Sequence, residues 1–343
     1  MNSNQNESRA PLFIAEISGN HNGSLDRARE LVRAAADSGA DAVKFQTYTA
    51  DTMTLDLKVF SVSNDHELWG GRTLYSLYEE AHTPWEWHEE LFKLCRELDV
   101  IPFSSPFDLT AVNFLESLEA SMYKIASLET SDLRLIRAVA NTGKPLIIST
   151  GATEWQEIQE LVATVKSTGN EQLTLLICTS SYPSQPQDAH LRRIQTLRDE
   201  FGVNVGLSDH TLGLGVSIGA IALGATVIEK HFTLSRNDGG ADAAFSMEPR
   251  EFSELVREGK SAFYALGDSN WSMQESEKES RRLRRSLFVA EDVKAGDTVN
   301  FTNVRAIRPG YGLDAKYYDE IQGYKFKIDL KIGTPLSFEH FEK

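Results

Sequence analysis

The chain has 343 residues, 41% of them hydrophobic, with 35 lysines and arginines against 50 aspartates and glutamates and a net charge of −15. That length holds one large core and a small second unit, and the acidic balance argues against a nucleic-acid or anionic-membrane surface, which needs clustered positive charge. No run approaches the about 20 apolar residues of a membrane span, and the opening "MNSNQNESRAP" lacks the apolar core of a secretory signal, so a cytoplasmic protein with no membrane partner is expected.

In chain order, short apolar or β-branched runs alternate with longer amphipathic stretches. The predicted strands are LFIAEI (12–17), AVKFQT (42–47), VIPFSS (100–105), MYKIAS (122–127), PLIIST (145–150), LTLLICTS (173–180), VNVGLS (203–208) and TVIEKHF (226–232). Between them, stretches such as SLDRARELVRAAADSG and TEWQEIQELVATVKSTG open on Ser, Thr or Asp caps and close on Gly. Eight strand–helix units in about 250 residues predict a (β/α)8 barrel over 1–267. The doubly wound open sheet competes with it, but AEISGNHNG after the first strand does not fit the G-x-G-x-x-G phosphate loop. Cys95 and Cys178 lie inside apolar runs and read as buried reduced thiols. A polar linker is expected over 268–285 and a small, turn-rich second domain over 286–343. In the linker, Arg281, Arg282, Arg284 and Arg285 follow Glu275, Glu277 and Glu279, which suits a solvated or internally paired segment better than a nucleic-acid patch.

Active sites of such barrels gather at the C-terminal ends of the strands. There the chain places Glu16, Lys44 with Gln46, Ser104 and Ser105, Lys124 with Ser127, Ser149, Ser180, Ser208 with His210, and Glu229 with His231. Alternation puts Lys44 and Gln46 on one face, and does the same for Ser208 and His210 and for Glu229 and His231. A single serine at a strand end is equally well a loop-proximal residue. Lysines inside AVKFQT and MYKIAS are expensive to bury unpaired, which predicts an anion opposite them. His210 and His231 close neighbouring strands. Either alone suits a structural role, but together two neutral imidazoles can chelate a divalent cation with positions left for water or substrate. His21, His66, His82, His88, His190 and His340 have no such partner; His21, close after Glu16, is a candidate for the barrel mouth. Lysines and hydroxyls make a phosphate cradle, and a bound cation polarises a carbonyl. The set points to carbon–carbon bond formation from a phosphorylated enol. A Schiff-base aldolase with Lys124 as the amine, and a carbohydrate-binding protein acting through the small domain, stay open as alternatives.

The segments AEISGNHNGSLDRARELVRAAADSGADAVKFQTY, YKIASLE, STGAT, CTSSYP, GLSDHTLG and IEKHFTL closely resemble the sialic acid synthase family across almost the whole chain. That family condenses phosphoenolpyruvate with an amino sugar to a nine-carbon ulosonic acid. Within it, TADTMTLD and GRTLYSLYEEAHTPWEWHEELF look most like the pseudaminic acid synthases, whose acceptor is 2,4-diacetamido-2,4,6-trideoxy-L-altrose; other branches use the N-acetylneuraminate and legionaminic acid precursors. The resemblance implies a barrel followed by a small antifreeze-like (SAF) domain, a domain-swapped homodimer, and a divalent metal, manganese before magnesium or cobalt. Residue by residue, it implies phosphoenolpyruvate contacts from Lys44, Ser105, Lys124, Ser127, Ser149, Ser180 and Ser208, with His210 and His231 as metal ligands. It likewise implies acceptor contacts from Glu16, Tyr182 and Asp242, with Arg308 of IRPGYG reaching in from the small domain. Glu129 falls beside the reacting carbons as a general acid–base. Gln46 and Ser104 are further candidate contacts. Position 180 is serine where some members carry asparagine, which leaves its contact open.

Overall fold

The computed structural model describes residues 10–63 and 69–342; His66 lies outside them. The chain divides into two compact units, Met1–Gly267 and Asp268–Lys343. In the first, eight parallel strands close on themselves: β1 (Leu12–Glu16), β2 (Ala42–Thr47), β3 (Ile101–Pro106), β4 (Tyr123–Ile125), β5 (Leu146–Ser149), β6 (Leu173–Cys178), β7 (Asn204–Ser208) and β8 (Val227–His231). All eight expected strands are present, and the pairing of β8 with β1 excludes the open sheet. β4 is half the expected length because the chain turns at Ala126 into a 3-10 turn, Ser127–Glu129, so those two residues are carried on a turn. Helices fill the connections. Leu25–Asp37 is capped by the Ser24 side chain, whereas Trp155–Ser167 is capped by a reciprocal Glu154–Glu157 box; the expected cap, Thr153, donates instead to the Gly151 carbonyl.

Two apolar layers hold the barrel. Outward-facing strand residues such as Phe13, Phe45 and Tyr123 pack against the helices with Leu31, Phe92 and Leu135. Inside, Ile14, Ala42, Phe103, Met122, Ile147, Leu176 and Val227 form a separate cluster. Six strands thus supply one side chain each to the floor, Met122 joins them from just before β4, and β7 supplies Gly206 at the level of Leu176. A Cβ there would lie 2.3 Å from the Val227 carbonyl oxygen and 2.8 Å from Leu176 Cδ2. Two residues further along each strand, and so on the same inner face, stand Glu16, Lys44, Ser105, Lys124, Ser149, Cys178, Ser208 and Glu229. An apolar plug therefore lies directly beneath a polar ring, in the layered manner of such barrels.

In the second unit, β9 (Ser286–Val289) pairs antiparallel with β10 (Val304–Ile307), and β11 (Lys325–Phe326) with β12 (Phe341–Glu342), around Leu287, Val299, Ile321, Phe326 and Leu336. The stretch 268–285 contains a short helix, Lys278–Arg282, and its charges pair locally: Arg282 with Glu279 at 2.8 Å and Lys278 with Glu275 at 2.5 Å. Both cysteines are free thiols, and no helix among the described residues is long and apolar enough to cross a membrane.

The packing at β7 makes a direct prediction. Gly206→Ala overpacks the plug and is expected to cost about 1–3 kcal/mol, read as a lower urea midpoint for the barrel; an unchanged midpoint would show that the floor has room to spare.

Candidate active site

The polar ring carries two carboxylates, Glu16 and Glu229 on the neighbouring strands β1 and β8, and two ammonium groups, Lys44 and Lys124 on β2 and β4. Lys44 forms an ion pair with Glu16, and its Nζ donates to Ser105 Oγ at 3.4 Å. Lys124 Nζ lies 3.6 Å from Glu229 Oε1 and donates to the Ile125 carbonyl at 3.2 Å. Glu229 also accepts from Ser208 at 3.1 Å. Both lysines are at most 4% exposed. Burial works against the Lys44 charge, but Glu16 and Glu229 outweigh it and hold the ammonium above the ordinary lysine range. Burial wins at Lys124 and pulls it down, with Lys44 adding to the effect against the opposing pull of Glu229. At Glu229 burial is again opposed, here successfully: Lys124, Lys44 and the Ser208 hydroxyl hold the carboxyl below its ordinary range. The anion that the sequence demanded opposite the lysines is thus first of all the protein's own pair of carboxylates.

Capacity for a further anion remains. The hydroxyls of Ser149 and Ser180 are buried without a hydrogen-bond partner among the described residues, an expensive condition unless something else accepts from them. Gly151 opens the space beside them: a Cβ there would sit 2.3 Å from Ser180 Oγ and 2.9 Å from Ser127 Oγ, and its backbone N–H donates to Ser127 Oγ at 3.0 Å. Two ammonium groups, unpartnered hydroxyls and a side-chain-free backbone make a cradle for phosphate or carboxylate oxygens.

At the lip of this cradle the rings of His210 and His231 approach to 5.3 Å between centroids. His210 Nδ1 donates to the Thr179 carbonyl at 2.9 Å, which leaves Nε2 free. His231 Nδ1 lies 3.3 Å from Ser18 Oγ, and burial, reinforced by His210, Lys44 and Lys124, keeps its ring neutral. At His210 burial works against the charge, but Cys178 and the Thr179 carbonyl outweigh it and hold the ring above its ordinary range, so a divalent cation bound by the two imidazoles would displace the His210 proton. Among the described residues no group of three or more His, Cys, Asp or Glu side chains converges on such a site, so additional donors would come from water or substrate.

Other expected residues gather around the same lip. Glu16 accepts from the Ser18 hydroxyl and backbone and, at 3.3 Å, from Gln46. The Tyr182 ring lies 4.4 Å from His210 and 5.0 Å from Phe245. Asp242 is half-exposed as a residue, but its carboxyl end is enclosed; burial first, then Glu16, pushes it up to about 6. Burial likewise raises Glu129. Two expectations are redirected. Ser104 is turned outward, 2.6 Å from Thr47 Oγ1, which in turn meets His88 at 2.8 Å, because it sits one residue out of phase with the inward Ser105. His21 packs edge-on against Trp87 and meets Thr83 Oγ1 at 3.3 Å, in the helix layer rather than the mouth. Arg308 is exposed on the second unit. Sequence reasoning did not single out Ser18, Gly151, Phe245 or the pairing role of Glu229. The spacing of Ser18 and Glu229 from chosen neighbours was a usable signal; Phe245, on a loop turn, offered none.

A closed (β/α)8 barrel whose C-terminal rim joins buried lysines, orphan hydroxyls and an imidazole pair has the architecture of an enzyme active site. The NeuB family model matches residues 31–270 and the SAF domain model residues 284–342. The chain is 44% identical to the pseudaminic acid synthase of Helicobacter pylori over 97% of this chain and 98% of that protein. It is 40% identical to the pseudaminic acid synthase of Campylobacter jejuni serotype O:2 over 99% of each. Among solved structures, the N-acetylneuraminic acid (sialic acid) synthetase of Leptospira borgpetersenii superposes with a TM-score of 0.72 at 32% identity, covering 79% of this chain and 90% of that one. The chain belongs to the NeuB family, and its second unit is a SAF domain.

Asp242 supplies a pH test. Its folded-state pKa of about 6 lies above the ordinary 3.8, so between those values the folded state binds more protons and stability falls as pH rises through the window. Asp242→Asn, which cannot ionise, is expected to melt with the wild type at pH 4 and above it at pH 7.5. Equal melting temperatures at both pH values would contradict the enclosure of this carboxyl.

Proposed function

We propose that the chain is a pseudaminic acid synthase, joining phosphoenolpyruvate, 2,4-diacetamido-2,4,6-trideoxy-L-altrose and water to give pseudaminic acid and phosphate. The observation that carries this reading is the cradle of Lys44, Lys124 and unpartnered hydroxyls set beside two chelating imidazoles. The choice of acceptor is supported by near-full-length similarity to two proteins of that name. A divalent cation, manganese before magnesium or cobalt, would be held by His210 and His231 and would supply Lewis-acid polarisation of the acceptor's C1 aldehyde.

The chain's own residues do the rest. Lys44, Lys124, Ser105, Ser127, Ser149, Ser180 and Ser208 hold the donor's phosphate and carboxylate and stabilise the charge that leaves with phosphate. Glu16, Gln46, Tyr182 and Asp242 orient the open-chain acceptor so that its C1 faces C3 of the enol. Attack of C3 on C1 forms the carbon–carbon bond, and the aldehyde oxygen takes up a proton. Water adds at the electron-poor C2 and gives up a proton to Glu129, whose buried carboxyl holds protons more readily than an exposed one. The C2 hydroxyl then collapses to the ketone, its proton and the phosphate departing by C–O cleavage. In this reading two copies pair so that the SAF domain of one serves the barrel of the other, with Arg308 as an acceptor contact, and the enzyme works in the cytoplasm beside its phosphorylated donor.

Phosphate release from phosphoenolpyruvate with each of three acceptors tests the reading. Turnover with the altrose precursor should exceed that with N-acetylmannosamine or the legionaminic acid precursor; the reverse order would move the enzyme to another branch. Borohydride with pyruvate should trap nothing on Lys124; a covalent adduct would replace the synthase with a Schiff-base lyase. His210→Ala and His231→Ala should each lose more than the about 10–100-fold that removal of an outer-shell partner costs, with an unchanged circular dichroism spectrum. Retained turnover in the presence of a chelator would remove the metal from the mechanism.

A further inference from the structure

On the outward side of the strand ends that carry the two histidines lies a second buried polar cluster, which none of the chemistry above uses. Alternation along β8 turns Glu229 and His231 inward and Lys230 outward; beyond β7 it turns Ser208 and His210 inward and Asp209 outward. Lys230 and Asp209 therefore meet directly behind the imidazole pair. Lys230 Nζ donates to Asp209 Oδ2 at 3.0 Å, to the Thr211 carbonyl at 2.7 Å and to the Gly213 carbonyl at 3.3 Å, so all three of its N–H groups are used. Asp209 is filled from its other sides: Oδ1 accepts from Thr211 N at 2.9 Å and Thr211 Oγ1 at 2.7 Å, and Oδ2 from Ser217 Oγ at 2.6 Å. Both side chains are 1% exposed. The backbone around His210 is tied as well, Asp209 N to the Glu229 carbonyl at 2.9 Å and Ser184 N to the His210 carbonyl at 3.0 Å.

Space filling does not account for this arrangement. Elsewhere the outward faces of the strands are largely apolar, with Thr47 and Ser104 joined by an uncharged hydroxyl hydrogen bond, and a buried ion pair is commonly no more stabilising than apolar residues of the same volume. What the cluster provides is geometry: one ammonium gathers the carboxylate before His210 and two carbonyls after it. Metal–imidazole distances, which a working site holds to within about 0.2 Å, leave little tolerance for a turn that shifts one ring against the other. We infer that Lys230 is a positioning residue for the metal centre, fixing the 209–213 turn, and with it His210 relative to His231, through Asp209 and the Thr211 and Gly213 carbonyls. This rests on the assignment of His210 and His231 as metal ligands.

The test is titration of the full-length, metal-free protein with Mn2+, following the free ion by electron paramagnetic resonance with no substrate present. Lys230→Met is expected to fold, by circular dichroism, and to bind Mn2+ about 10–100-fold more weakly than wild type, while calorimetric binding of phosphoenolpyruvate without metal stays that of the wild type. A folded Lys230→Met protein with wild-type Mn2+ affinity overturns the inference, as does equal weakening of metal and donor binding, the mark of general structural damage. If Lys230→Met does not fold, Asp209→Asn, which keeps the side-chain volume but removes the charge and one of the two accepting oxygens that gather Lys230, Ser217 and Thr211, carries the same expectation and the same contrary results. His210→Ala separates the two levels: if it binds Mn2+ as tightly as wild type, the ligand assignment fails and this inference with it.

Discussion

Glu16, Lys44, Lys124 and Glu229 bring four ionisable groups into the interior of a closed barrel, where each alone would be too expensive to keep. Pairing each lysine with a carboxylate is what makes the ring tenable, and removing any one partner of such a buried pair costs about 3–5 kcal/mol. The same requirement prepares the site for its work. Each ammonium is held in place before substrate arrives, and the orphan hydroxyls of Ser149 and Ser180 mark donors that the protein does not itself satisfy. An incoming phosphate and carboxylate meet donors already oriented, so little reorganisation is needed at the moment of reaction.

Support for the ring comes from below and from outside. The apolar plug beneath it, with Gly206 making room for Leu176, closes the barrel to solvent from the far end of the interior. That closure keeps the local dielectric low enough for the charges to matter. Outside the wall, the Lys230–Asp209 pair braces the two strands that also bear Ser208, Glu229 and both histidines. Inner and outer residues of β7 and β8 are thus joined twice, once by Ser208 and Glu229 facing the substrate and once by Asp209 and Lys230 facing the helices.

Much of this was legible in the sequence because the barrel obeys a period of two. With the strands placed, alternation puts Lys44 with Gln46, Ser208 with His210 and Glu229 with His231 on shared faces, but Ser104 stands beside Ser105 as a candidate in the sequence, and the structure turns it outward, one residue out of phase. The same alternation reaches Cys178 rather than Ser180 in β6; Ser180 enters the cradle from the level above, beside Gly151. Partnership was not legible. Periodicity shows that Glu229 shares a face with His231 but not that the shear of the barrel brings it across to Lys124, nor that Asp209 and Lys230, both outward, find each other. Residues on irregular backbone were reached only through resemblance. Glu129, Tyr182 and Asp242 sit on turns whose conformation no periodic pattern encodes, and Arg308 lies on a different unit.

The central claim is that the two buried lysines exist to hold a doubly anionic donor. Calorimetric titration of phosphoenolpyruvate into Lys44→Met and Lys124→Met, each verified as folded, tests it most directly. A charge-assisted contact contributes about 1.5–3 kcal/mol, so each variant should bind the donor roughly 10- to 150-fold more weakly than wild type. Wild-type affinity in both folded variants would mean that the lysines serve only their own carboxylates, and the donor site would have to be sought elsewhere on the molecule.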